Sequence, residues 1–260
     1  MRSDTRDTSS RHHATDDRYD QHVTSEQYRL ERAAKAEVIF DLCDDELRSA
    51  IQIADLGAGT GIIRSILSQR IGQTIFGFEL DTGFIVERSG MVGADVLHLP
   101  AADSSFDFLL INHLYEHVYS QPDLFAEAFR VLVPGGGAYV TAGNRLALIE
   151  PHYRLPLLSW FPRSIASRYL RASGRGKTYD DIHFLTYRPL VRIMQKSGFE
   201  IEDITERAID QLLARTWGPG WARVWSIIRL IPVPVRRRLI CLASPQWFFI
   251  IRKPALDAVR

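Results

Sequence analysis

Ile53-Ala54-Asp55-Leu56-Gly57-Ala58-Gly59-Thr60-Gly61-Ile62 is the stretch that decides the fold. A short apolar run ends in an acid, glycines follow at alternate positions, and a helix-like pattern begins. This reads as a buried strand, a tight turn and a helix N-terminus. Gly57, Gly59 and Gly61 allow backbone dihedrals that other residues rarely adopt, and they let a ligand approach the chain closely. The first N–H groups of the new helix have no partner inside it and would face that ligand. The dinucleotide fingerprint G-x-G-x-x-G has a different spacing. Here the third glycine comes one residue early, and Ile62 stands where that fingerprint wants glycine.

Around this stretch lie 260 residues, enough for one domain with extras or two small ones. At 46% hydrophobic and 24% charged residues, the chain can bury a sizeable core. A net charge of +1 gives no support to a nucleic-acid binder working through bulk electrostatics, and no nucleic-acid partner is expected. Cys43 and Cys241 are far apart and form no metal or redox spacing. A reduced, cytoplasmic setting is expected. Residues 1–22 are dominated by Asp, Arg, Ser, Thr and His and read as a disordered tail. They lack the apolar core of a signal peptide, and no apolar run approaches the roughly 18 residues that span a bilayer.

Elements follow in order. Ser25 is placed to cap a helix over Glu26–Leu42. Ile51–Leu56 reads as the first core strand, Ile62–Arg70 as the start of its helix, and Thr74–Phe78 as the second strand. Glu79 ends that strand 18 residues after Gly61, close to where a βαβ unit presents its ribose-binding carboxylate. A carboxylate can accept from two adjacent hydroxyls at once. Asp81 is the rival acid. Phe106–Ile111 reads as a fourth strand buried on both faces, with Asn112 at its carboxyl end, where open α/β sheets bind ligands. Ala138–Thr141, Phe199–Ile204 and Gln246–Ile251 complete the strands, with a helix over Tyr187–Lys196.

The opening stretch resembles motif I of the class I S-adenosylmethionine (SAM)-dependent methyltransferases, acid-x-G-x-G-x-G, at Asp55, Gly57, Gly59 and Gly61. Phe76-Gly77-Phe78-Glu79 is similar to that family's apolar-Gly-apolar-acid pattern and favours Glu79 over Asp81. Ala94-Asp95-Val96, followed by Leu99-Pro100 and Ser105-Phe106-Asp107, resembles its adenine-contact segment. Glu127-x-x-Arg130-Val131-Leu132-x-Pro134-Gly135-Gly136 resembles the segment before its fifth strand. The matches span roughly residues 50–142 and are closest to the group that includes ubiquinone- and menaquinone-biosynthesis methyltransferases. The resemblance implies a Rossmann-like α/β fold. Its seven-stranded sheet is mostly parallel, with helices on both faces and an antiparallel last strand inserted between the fifth and sixth. It also implies SAM as cofactor, held by Asp55, Gly57, Gly59, Gly61, Glu79, Asp95, Val96 and Asn112. In relatives the acid at the Asp95 position contacts the adenine amino group, and the next backbone N–H contacts the ring. The domain would span 23–260, with its leading helix over the cofactor side.

Two stretches exceed the minimal fold. Residues 145–190 are long for a connection and carry Glu150, His152, Tyr153, Trp160, Phe161, Tyr169, Tyr179 and His183. They read as a helical insertion after strand 5, either a lid and acceptor pocket or a cap that only extends the core. Residues 208–245 read as a helical insertion before the last strand. There Trp217, Trp221 and Trp225 recur every four residues, Ile228 continues the face, Pro232 and Pro234 break the helix, and Arg236-Arg237-Arg238 follow. This pattern fits an amphipathic helix packed on the sheet. It also fits a peripheral membrane contact through 217–242, with a lipid-linked substrate.

In-line methyl transfer depends on alignment and water exclusion, and the cofactor carries the hard chemistry. A hydroxyl acceptor benefits from a base, usually histidine. His113, just past the fourth strand, has the best position, His152 is second, and no metal site is expected. The expected function is methyl transfer to a hydroxyl of a sugar, lipid-linked or quinone-like small molecule. A nucleotide-cofactor oxidoreductase and an RNA methyltransferase fit less well. A non-catalytic protein of the same fold, binding a partner through its insertions, is the alternative from another class.

Overall fold

The computed structural model describes residues 25–215 and 219–255. The expected tail at 1–22, and Trp217, lie outside the described residues. The elements are α1 (Glu26–Ser49), β1 (Ile53–Leu56), α2 (Ile62–Ile71), β2 (Ile75–Glu79), β3 (Met91–Gly93), β4 (Phe106–Asn112), α3 (Gln121–Val131), β5 (Leu132–Gly143), α4 (Arg163–Ala172), α5 (Tyr187–Lys196), β6 (Glu200–Asp203), α6 (Thr205–Arg215), α7 (Pro219–Ile228), α8 (Val233–Ala243) and β7 (Gln246–Arg252). Short 3-10 turns lie at Thr82–Phe84 and Leu158–Trp160.

The sheet order is β3-β2-β1-β4-β5-β7-β6. The first five strands pair in parallel, while β7 runs antiparallel to both β5 and β6. The expected inserted antiparallel strand is therefore present. The order reverses between β1 and β4, where α/β sheets open a crevice at their carboxyl ends.

Strand alternation builds two cores, because successive side chains point to opposite faces. Along β4, Leu109 and Ile111 face one core while Phe108 and Leu110 face the other. Along β7, Trp247, Phe249 and Ile251 alternate with Phe248 and Ile250 in the same way. α1, α2 and α6 cover the second face, and α3, α4 and α5 the first. Each large side chain buried in this way contributes on the order of 1.5–3 kcal/mol.

Several boundaries differ from the sequence reading. α1 runs on to Ser49 through a non-helical Cys43, because Cys43 and Leu47 continue its buried stripe. β1 begins at Ile53, since Ile51 is exposed. β5 begins at Leu132, well before Ala138, because Phe106 pairs with Leu132 across a register shift. α5 already starts inside 145–190, and α6 begins three residues before 208. The described tryptophans do not share one environment. Trp225 is buried and its indole N–H donates to Asp210, whereas Trp221 is exposed. α7 and α8 pack on α6 through Ile209, Trp225 and Ile240 rather than directly on the sheet.

Candidate active site

The parallel strands deliver the expected residues to one edge of the sheet. Leu56 is in register with both Phe78 and Ile111, so the ends of β1, β2 and β4 are level. Glu79 is in register with Gly93, which brings the chain leading to Asp95 beside it, and Ala94 N–H donates to Glu79 O.

The glycine turn is held open by its backbone. Gly57, Gly59 and Gly61 all have positive φ, at 67°, 55° and 76°. A Cβ at Gly57 would lie 2.5 Å from Leu114 Cδ1, and one at Gly61 would lie 2.6 Å from the Glu87 carbonyl oxygen. At Gly59 it would meet nothing within 4 Å. Packing against backbone thus requires glycine at 61, a Cβ at 57 would have to displace the Leu114 side chain, and the middle glycine faces open space. This open cradle fits a cofactor laid against the backbone. The Glu79 carboxylate closes one side. Its Oε2 accepts from Gly59 N–H at 2.8 Å and its Oε1 from Asp81 N–H at 3.1 Å. Each carboxylate oxygen keeps capacity for a hydroxyl. Asp81 itself turns away to cap the short turn after β2, accepting from Gly83 N–H.

Asp95 uses Oδ1 to accept from Leu97 N–H at 2.9 Å, which shapes the turn after β3. Val96 is buried in the first core, and Asn112 ends β4 in register with Thr141. Asp55 is buried behind the turn. Burial pushes its carboxyl up to about 7; the neighbouring Arg64 cation opposes this and the Glu79 charge adds to it. The Arg64 side chain, also buried, donates to the carbonyls of Ile75 and Glu87 and so ties α2 to both sides of the turn. The sequence gives no sign of the role of Arg64, because an arginine early in a helix carries no local signal of burial. Arg29 of α1 pairs with Glu87, so the leading helix reaches this edge.

A second constellation follows β4. His113 has φ 53°, a left-handed conformation uncommon outside glycine. Its Nδ1 lies 3.1 Å from Glu116 Oε1. Glu116 is wholly buried. Burial alone would raise its carboxyl, but the His113 hydrogen bond and the His113 and His117 charges outweigh that and hold it below its usual value. His152 Nδ1 lies 2.9 Å from Oε1 of Glu150, also wholly buried, whose Oε2 accepts from Tyr153 N–H. His152 Nε2 faces His117 Nε2 at 3.1 Å. Among the described residues, one ligand atom each from Glu116, His117 and His152 fall within 4.8 Å of one another. The structure therefore unites histidines 35 positions apart. His183 is directed elsewhere: its Nδ1 meets Arg163, and burial together with that cation lowers its basicity.

Tyr115 joins the segments. Its hydroxyl donates to Gly143 O and accepts from Leu185 N–H. Asn144, wholly buried, donates to the carbonyls of Leu242 and Ser244 and so pins the end of α8 beside the end of β5.

Residues 54–140 match a family described as a methyltransferase domain. A probable S-adenosylmethionine-dependent methyltransferase of Mycolicibacterium smegmatis is 24% identical over 157 residues, which cover 58% of this chain and 52% of that protein. The ubiquinone biosynthesis O-methyltransferase of Pseudomonas fluorescens is 28% identical over 166 residues, covering 54% of this chain and 70% of that protein. The chain thus spans about half the length of the mycobacterial relative. A SAM-dependent methyltransferase from Thermotoga maritima shares the fold with a TM-score of 0.53 at 17% identity, covering 91% of this chain and 95% of that one. Glycine turn, strand order and matched segment agree: residues 54–140 carry a methyltransferase domain, set in the fold of the class I SAM-dependent methyltransferases.

Proposed function

We propose that this protein transfers the methyl group of SAM to a hydroxyl oxygen of a small molecule of the sugar, lipid-linked or quinone-like class. The observation that carries this reading is the pairing of the open Gly59 cradle with the His113–Glu116 dyad. Leu114 packs against Gly57, so the residue after His113 is in direct contact with the turn. Bound SAM supplies an electrophilic methyl group on a sulfonium. The chain's own residues do the rest. The Gly59 backbone and the Glu79 carboxylate seat and orient the cofactor. Glu116 accepts a hydrogen bond from His113 Nδ1–H, which leaves Nε2 free to accept the acceptor's hydroxyl proton. Such a positioned base contributes typically 10²–10⁴-fold. His152, the second candidate base, has its Nε2 directed at His117. The ubiquinone-pathway relatives carry the name O-methyltransferase, which supports an oxygen acceptor.

The test is methyl transfer from radiolabelled SAM across a panel of hydroxylated acceptors. His113→Gln should lower turnover about 100-fold or more and leave S-adenosylhomocysteine binding intact. Unchanged turnover removes the base assignment. Binding without turnover on any acceptor favours the non-catalytic reading.

A second observation bears on the source of the acceptor. Residues 219–243 hold five arginines and no acid, and Trp221, Ile227, Leu230 and Leu242 are exposed beside them. No described helix is long and apolar enough to cross a membrane. An amphipathic, arginine-flanked surface of this kind suits an anionic bilayer face. Equal flotation with and without anionic vesicles would remove the membrane contact and leave the methyl-transfer reading standing.

A further inference from the structure

Glu116, His117 and His152 form a constellation of which proton transfer through His113 uses only Glu116, through its Oε1. Three features set it apart from a chance meeting of polar side chains. First, the two imidazole Nε2 atoms face each other at 3.1 Å. Two nitrogens bound to one tetrahedral zinc at its usual bond length lie about 3.3 Å apart, so the rings already stand at nearly the separation a shared ion requires. Second, two of the three ligands have a carboxylate or imidazole behind them. Glu150, wholly buried, accepts a hydrogen bond from His152 Nδ1–H and turns the Nε2 lone pair outward; His113 likewise holds one oxygen of Glu116. Carboxylate–histidine pairing of this kind orients metal-bound imidazoles. Third, Glu116 Oε2 is buried and makes no hydrogen bond, although buried carboxylate oxygens are normally satisfied.

We infer that Glu116, His117 and His152 bind a divalent cation of the zinc class, with a fourth position left open. Two imidazoles and one carboxylate are a common donor set for zinc sites that keep a position for water or a ligand oxygen. His117 and His152 lie at the surface, so an ion can enter from solvent. The expectation of no metal site rests on the lack of a carboxylate cluster at the strand ends; this set instead has two imidazoles and one carboxylate, with His152 supplied by a different segment. The proposal stands on the ligand set alone and does not depend on the acceptor being a hydroxyl.

The test uses the full chain without an affinity tag, stripped with a chelator and titrated with zinc against a competing dye. His12→Ala/His13→Ala serves as the background. One equivalent should bind to this background protein. His117→Ala and His152→Ala should each weaken that binding about 100-fold or more. Glu150→Gln, a positioning change, should weaken it about 10–100-fold. Cobalt should give the intense visible absorption of a tetrahedral site, lost in both histidine variants. Both histidines are exposed, so these variants should fold, and their melting curves check it. No stoichiometric zinc binding, or binding unchanged in both histidine variants, overturns the proposal. S-adenosylhomocysteine binding measured on the same samples separates the two readings: cofactor binding without zinc refutes the metal site alone, and zinc without cofactor binding refutes the methyl-transfer reading alone.

Discussion

The two halves of the site are built in opposite ways. On the cofactor half, the backbone does the work: three glycines with positive φ, a strand-end carboxylate and parallel register. On the proposed acceptor half, side chains do it: His113, Glu116, His117, Glu150 and His152, from two segments joined only through tertiary packing. A backbone site is local and leaves a contiguous motif in the sequence. A side-chain site can be assembled from residues anywhere in the chain.

That contrast can be broken most sharply at Gly59. Gly59→Arg should fill the cradle and weaken S-adenosylhomocysteine binding beyond about 1,000-fold by calorimetry, some 4 kcal/mol. Its Cβ meets open space, so the melting temperature should fall by only the few degrees expected of a strained left-handed residue. Wild-type affinity in this variant would move the cofactor away from the turn.

Glu79→Ala removes a charged acceptor for cofactor hydroxyls and should weaken the same binding about 10–100-fold, the range for hydrogen bonds to a charged group. If the loss appears in melting temperature and not in affinity, Glu79 only holds the turn through Gly59 N–H.

Asp55 sharpens the comparison through pH. Its folded carboxyl is raised by burial to about 7. Between about pH 4 and 7 the folded protein keeps a proton that the unfolded chain has released, so this group's stabilisation is full at low pH and is lost as pH rises through 7. Denaturant unfolding should show wild type losing about 2 kcal/mol relative to Asp55→Asn between pH 5 and 7. A difference independent of pH would mean that Asp55 is ionised throughout.

The smallest effect is expected on the acceptor side. Tyr115→Phe removes the hydroxyl that bridges Gly143 and Leu185 and should cost about 1–2 kcal/mol of stability. S-adenosylhomocysteine affinity should change by less than about twofold. A larger loss of affinity would show that the two halves are coupled.

By itself the sequence determined the glycine turn and strand-end acid of the proposed cofactor half. Alternating glycines after an apolar run ending in Asp55, and Glu79 at the end of the next strand, sit at fixed distances along the chain because strand, turn and helix are local structures. The same is true of the Ser25 cap, whose hydroxyl accepts from Tyr28 N–H, and of the Tyr187–Lys196 helix. Tertiary structure decided the rest. Periodicity placed Trp221 and Trp225 on one helical face, but packing on α6 buried only Trp225, because a face four residues wide has an edge. No local pattern tied His152 to His117 or Arg64 to the back of the glycine turn. Those meetings depend on where a connection of more than forty residues folds and on which side of the sheet each helix lies. Both are set by burial of surfaces that carry no mark of their partner in the sequence.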